Sequence, residues 1–183
     1  MMKKMIILVL GLMAACTLHA QRFTLGTNIA DYVDYGTLNL SGTLAVGKRW
    51  SLGTEVKYNP YLFSREGRPR SARQRLFSLG SRYWPWHVYS GWWLGAKMQY
   101  QEYNRGGIRS ELTEEGDRFG AGLSGGYSYM LLPHLNLDIG IGFWGGWSRY
   151  TAYACPVCGL TLEQGSKVFF LPNDILFAFS YVF

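Results

Sequence analysis

Between Asp174 and Phe183 the chain alternates. Ile175, Phe177, Phe179, Tyr181 and Phe183 are large and apolar, while Asp174, Leu176, Ala178, Ser180 and Val182 between them are mostly small or polar. A period of two puts the five large side chains on one face of an extended strand. Soluble proteins rarely leave so greasy a face on a strand at the end of the chain. A strand whose outer face meets lipid requires it. This segment therefore predicts a barrel that is apolar outside and polar inside.

Seven further segments carry the same alternation. Phe23 to Ala30 sets Phe23, Leu25 and Ile29 against Thr24, Gly26 and Asn28, and Thr37 to Gly47 sets Leu38, Leu40, Leu44 and Val46 against Asn39, Ser41, Thr43 and Ala45. Trp50 to Tyr58, Leu76 to Tyr83 and Ser90 to Gln101 follow, then Arg118 to Met130 and Leu135 to Ser148. The last two carry polar-side columns of glycine, among them Gly120, Gly122, Gly126, Gly140 and Gly142. Segments of roughly 9–11 residues suit a tilted strand that crosses a bilayer. The connections alternate in length. Gly47 to Arg49, Trp84 to Tyr89 and Leu131 to His134 are short; Asn59 to Arg75, Glu102 to Asp117 and Arg149 to Val168 are long. Short turns on one side and long loops on the other predict an all-β, eight-stranded antiparallel transmembrane barrel with both termini in the periplasm. The rival is a soluble lipocalin-like barrel with its apolar face inward. That barrel needs a charged exterior, which faces rich in Gly, Ser and Thr do not supply.

The amino terminus fits export. Lys3 and Lys4 precede an apolar run from Met5 to Leu12, and Leu18-His19-Ala20 offers a cleavage site, so residues 1–20 are expected to be a signal peptide and 21–183 a single barrel domain. A loose lipoprotein box, Met13-Ala14-Ala15-Cys16, offers a rival cleavage before Cys16. Aromatics make up 16% of the chain, and they fall in two bands. Trp50, Tyr83, Trp84, Trp86, Trp92 and Phe183 sit toward the short turns; Tyr58, Tyr61, Tyr100, Tyr103, Phe119, Trp147 and Tyr150 sit toward the long loops. Two girdles at headgroup level are the expectation.

Parity turns Glu55, Lys57, Arg82, Lys97, Asp138 and Asp174 inward, three acids and three bases. An eight-stranded interior is filled by side chains, so a paired charge network and a non-conducting core are expected. In the second outer loop Arg65, Arg68, Arg70, Arg73 and Arg75 face one acid, Glu66. Guanidinium forks suit phosphate, which makes lipopolysaccharide phosphates or anionic glycans the candidate ligands. The bland reading pairs these arginines with Glu111, Glu114, Glu115 and Asp117 across the mouth. Cys155 and Cys158, in Cys155-Pro156-Val157-Cys158, predict a disulfide clip in the last loop; a metal shared between two protomers is the other reading.

Several of these runs resemble a known family. Gly47-Lys48-Arg49-Trp50-Ser51-Leu52-Gly53 with Tyr58-Asn59-Pro60, Arg82-Tyr83-Trp84, Gly120 to Tyr127 and the Cys155 to Gly159 element look like an uncharacterised Gram-negative outer-membrane family defined as a domain of unknown function. The architecture is similar to small OmpA/OmpX-type eight-stranded barrels. The closing alternation resembles the last strand of outer-membrane barrels, where a terminal Phe forms part of the assembly signal. The resemblance implies location in the cell outer membrane and contact with the barrel-assembly machinery during biogenesis. It implies no established activity, and some relatives stand near fimbrial systems.

The functional expectation is a non-catalytic envelope protein whose outer loops contact lipid, glycan or a surface protein. The alternatives are a lipid A-modifying enzyme of the outer leaflet and an accessory of a fimbria or adhesin system. No cofactor and no nucleic acid are expected. An outer-leaflet enzyme needs a Ser or Asp beside a His near the outer rim. His87 and His134 both fall in short turns at the other end.

Overall fold

The computed structural model describes residues 23–65, 68–107, 112–154 and 159–183. The expected leader and the Cys155–Cys158 pair lie outside the described residues. Nine strands are present: β1 (Phe23–Asn28), β2 (Leu38–Ala45), β3 (Trp50–Asn59), β4 (Leu62–Arg65), β5 (Arg68–Tyr83), β6 (Gly91–Gly106), β7 (Thr113–Leu132), β8 (Leu135–Tyr153) and β9 (Thr161–Val182). One short helix, α1 (Ile29–Val33), follows β1. All neighbours are antiparallel. The order β3-β2-β1-β9-β8-β7-β6-β5 closes on itself through a β3–β5 ladder that pairs Trp50 with Tyr83 and Asn59 with Gln74. The result is a closed eight-stranded barrel, and β4 forms a hairpin on the far part of β5.

The outer face is apolar all round. Leu40, Val56, Leu79, Leu94, Leu123, Ile141 and Phe177 are exposed there, whereas Thr24, Ser51, Ser78, Gln99, Ser128, Asn136 and Ser180 are buried inside. At the near end Phe23 and Phe183 stack at 5.9 Å, and the short β2–β3, β5–β6 and β7–β8 turns lie on that side.

Strand lengths are unequal. β1 has 6 residues and β9 has 22. At about 3.3 Å per residue, β9 is roughly 70 Å long, twice what a belt of 9–11 residues needs. Most of the segments expected as long loops are therefore strand: β5 begins at Arg68, β6 runs to Gly106, β7 starts at Thr113 and β8 runs to Tyr153. In these extensions the outer face carries polar residues as the inner face does, so the alternation of apolar and polar residues fades there.

The expected first strand is shorter than its pattern, and Asn28 is the reason. Its Oδ1 accepts from Ala30 N and caps α1. The same Oδ1 accepts from Phe177 N, and its Nδ2 donates to the Ile175 carbonyl. On the other edge the Asn39 side chain takes over the Asn28 backbone, accepting from Asn28 N at 2.6 Å and donating to its carbonyl at 2.8 Å. Two amides thus replace two ladders, and the chain is free to coil into α1.

The near end is plugged. Trp84, Val88, Tyr89, Trp93 and Val182 form a buried cluster, so Trp84, expected in the girdle, lies inside. Its Nε1 donates to Ser51 Oγ at 3.0 Å. The β5–β6 turn bends inward to bring Tyr89 into the plug, at a positive φ of 66°. The Tyr89 carbonyl is held there by Asn136 Nδ2 and Ser128 Oγ. Tyr103 also lies inside rather than in the outer girdle. The glycine columns make room for these rings. Gly126 pairs with Gly140, and a Cβ at either would come within 2.8 Å of the Trp93 indole.

This packing is testable. Gly140→Ala is expected to destabilise the barrel by about 1–3 kcal/mol through overpacking, read as a lower urea midpoint of the refolded protein. Trp93→Ala in the same chain should restore part of the loss, because the added methyl also meets the Gly125 carbonyl at 2.9 Å.

Candidate functional site

Above the plug the interior is a ladder of charge. Arg82 lies 3.5 Å from Asp138, with its guanidinium 4.3 Å over the Trp93 ring. Lys97 bridges Asp174 at 2.9 Å and Glu55 at 3.8 Å. Lys57 then reaches Glu55 at 3.3 Å and Asp31 of α1 at 2.8 Å. The six residues that parity turns inward all belong to this ladder, joined by Asp31, which the strand pattern alone does not reveal. Each side chain is less than a third exposed. A polar cavity of about 90 Å³ lies among them, large enough for a few water molecules. Charges this enclosed need partners, and the alternating signs supply them.

Farther from the plug the interior widens into a vestibule of about 780 Å³. That size falls within the range of small-molecule pockets, about 300–1,000 Å³. Its wall mixes Gln74, Gln99, Gln101, Arg105 and Arg118 with Leu76, Trp144 and Leu171. Gln101 Nε2 donates to Gln74 Oε1 at 2.7 Å. Arg105 binds Asp34 at 2.8 Å and Gln74 Oε1 at 3.3 Å, tying β6 to the turn after α1. The Trp144 ring meets Phe169 edge-on at 4.5 Å. The Oε1 atoms of Gln99 and Gln101 are buried without a hydrogen-bond partner among the described residues. The same parity that turns Lys97 inward places Gln99, Gln101, Tyr103 and Arg105 on the inner face once β6 is read to its full length.

Arg65 and Arg68 pair through their backbones at the tip of the β4–β5 hairpin; their side chains lie outside the described residues. Arg70 is half-buried, and its Nε has no partner among the described residues. Arg73 and Arg75 share the outer face of β5 and are exposed. Arg75 sits 5.9 Å over the Tyr58 ring and 3.9 Å from Glu102. Glu114, another member of the acidic set, turns toward the inner face. It accepts from Lys167 Nζ at 2.7 Å and from Tyr103 Oη, and it lies 3.7 Å from Arg118. Burial works against its carboxylate, but these hydrogen bonds and charges outweigh burial and hold its pKa below the usual value. His87 and His134 accompany the near end, their Nδ1 atoms against the carbonyls of Val88 and Val182. Among the described residues no group of three or more His, Cys, Asp or Glu could hold a metal ion.

Two outcomes follow from this wiring. Lys97→Met strands Asp174, while Glu55 keeps Lys57 at 3.3 Å, and should cost about 3 kcal/mol, the lower end for a broken buried pair. The double variant with Asp174→Asn should recover most of that in urea unfolding. For Glu114, whose folded pKa is depressed, stabilisation is present above the unfolded pKa and is lost as pH falls through the folded value. Amide exchange of Thr113–Asp117 and Gln164–Val168 should therefore accelerate relative to intrinsic rates as pH drops through the carboxylate range. Glu114→Gln should abolish that dependence.

No curated protein matches the sequence. A family match covers residues 5–183, nearly the whole chain, and carries the description protein of unknown function (DUF3575). With nearly the whole sequence matched, and an eight-stranded barrel among the described residues of that match, the chain belongs to the DUF3575 family.

Proposed function

We propose that this protein is a non-catalytic barrel of the cell outer membrane whose far rim contacts envelope lipid and surface ligands. The observation that carries the reading is the inside-out surface. Every barrel strand turns large apolar side chains outward, and the interior is polar, charged and hydrogen-bonded. In water such an exterior is a liability, whereas in hydrocarbon it is required.

Aromatic rings bound the apolar face on both sides. Trp50, Trp86, Trp92 and Phe183 are exposed near the plugged end; Tyr58, Tyr100, Phe119 and Trp147 are exposed toward the vestibule. The second group follows adjacent rungs, since Tyr100 pairs with Phe119 and Phe119 with Trp147. Arg75 and Arg73 stand just beyond this band on β5, where lipid phosphates would lie, and their guanidiniums suit that anion. The plug makes the interior a blind vestibule rather than a through-channel. His87 and His134 sit at the plugged end, away from an outer-leaflet substrate, which supports a binding role over catalysis.

Refolded into vesicles of brominated lipid, the protein is expected to show strong quenching of its exposed tryptophans. A chain that stays folded and monomeric in buffer without amphiphile would overturn the reading. Arg73→Gln with Arg75→Gln should weaken association with lipopolysaccharide-containing vesicles, while deletion of the protein should leave the lipid A mass profile unchanged.

A further inference from the structure

The backbone ladder is incomplete on one side, where α1 lies against β9 in place of a strand. Pairing between β1 and β9 ends at Asn28 and Ala178, and beyond the Asn28 side-chain bonds to Phe177 and Ile175, β9 is paired only with β8 among the described residues. The stretch that lacks a partner includes Pro172, which has no N–H to offer, at a register shift opposite Gly142 and Trp144. This gap is not above the apolar belt. Val168 pairs with Trp147, on the aromatic band itself, so β9 from Val168 to Ile175 lies at belt level. Across the gap stands α1, with Ile29 and Val33 exposed on its outer side. The vestibule reaches both lips: Ala30 on α1, and Leu171, Pro172 and Ile175 on β9. Ile175 belongs to the exposed outer face of β9.

We propose that the gap between α1 and the far half of β9 is a lateral entrance through which the acyl chain of an outer-leaflet lipid reaches the vestibule. The inference rests on the membrane reading above. The lining suits an amphiphile. Leu171 and Trp144 continue the apolar surface inward from the lip, and the buried Oε1 atoms of Gln99 and Gln101, without a partner among the described residues, belong to the polar residues farther round the same cavity. A chain that comes in sideways keeps its methylenes out of water for the whole path, which entry through the open mouth does not allow. The Asn28 bonds hold the lower edge of the gap, and above them no ladder joins α1 to β9, so entry there does not require melting one.

The test uses the full barrel in vesicles of a phospholipid carrying a photoactivatable diazirine in one acyl chain, with adducts mapped by peptide mass spectrometry. Adducts on inward Trp144 or Leu171, beside those on outward residues such as Ile141 and Phe177, are expected. Ala30→Trp, which fills one lip, should remove the inward adducts and keep the outward ones; Ile175→Trp does the same from the other lip if the first variant fails to fold. Adducts confined to outward residues would overturn the entrance and leave the membrane reading intact. Adducts nowhere would overturn both. Inward adducts that survive in both lip variants would mean entry through the mouth and would also overturn the proposal.

Discussion

Everything in this molecule follows from the narrowness of an eight-stranded ring. Such a barrel has room inside for side chains and little else, so each inward charge must find its counterion within one or two rungs. The chain meets this demand by placing acids and bases at successive heights, from Arg82 and Asp138 through Lys97, Asp174 and Glu55 to Lys57 and Asp31. The remaining interior is set by the same scarcity of space. Where three aromatic rings occupy the floor, the facing strands carry glycine, and where the floor ends, charged and then amide side chains take over.

A second constraint is the end of the ladder. A strand cannot stop without leaving N–H and C=O groups unmatched, and buried unmatched groups are costly. Here asparagine resolves the problem twice. Asn39 satisfies the backbone of Asn28, and Asn28 satisfies the backbone of β9. This local solution lets β1 be short, and the short strand shapes the vestibule wall.

The barrel was legible in the sequence because the outer face of each strand is apolar there and the inner face polar. Leu40 against Ser41 or Ile141 against Gly142 carries that contrast in every second residue. The contrast vanishes in the extensions, where Arg73 and Gln74 are both polar although one is exposed and the other buried. That is why segments such as Asn59 to Arg75 look like loops and prove to be mostly strand. Trp84 and Tyr103 were misplaced for a different reason: an amphipathic ring suits a girdle and a plug equally, and only the parity of its neighbours separates the two. The inner charge set was readable from parity, but its capstone Asp31 lies on a helix that period-2 reasoning does not contain. The Arg run was visible as composition, but composition does not say that Arg73 and Arg75 share an exposed face while Arg70 is half-buried.

The disparity between a six-residue β1 and a 22-residue β9 also has a kinetic side. From β5 to β9 each strand pairs with its sequence neighbour through a short connection, so this meander assembles by local zippering at low entropic cost. Ring closure is the opposite case. It joins Asn28 to Phe177 across 149 positions through only a handful of rungs. The seam that closes the cylinder thus carries the largest loop-closure cost for five rungs of pairing, one more than the β1–β2 ladder holds.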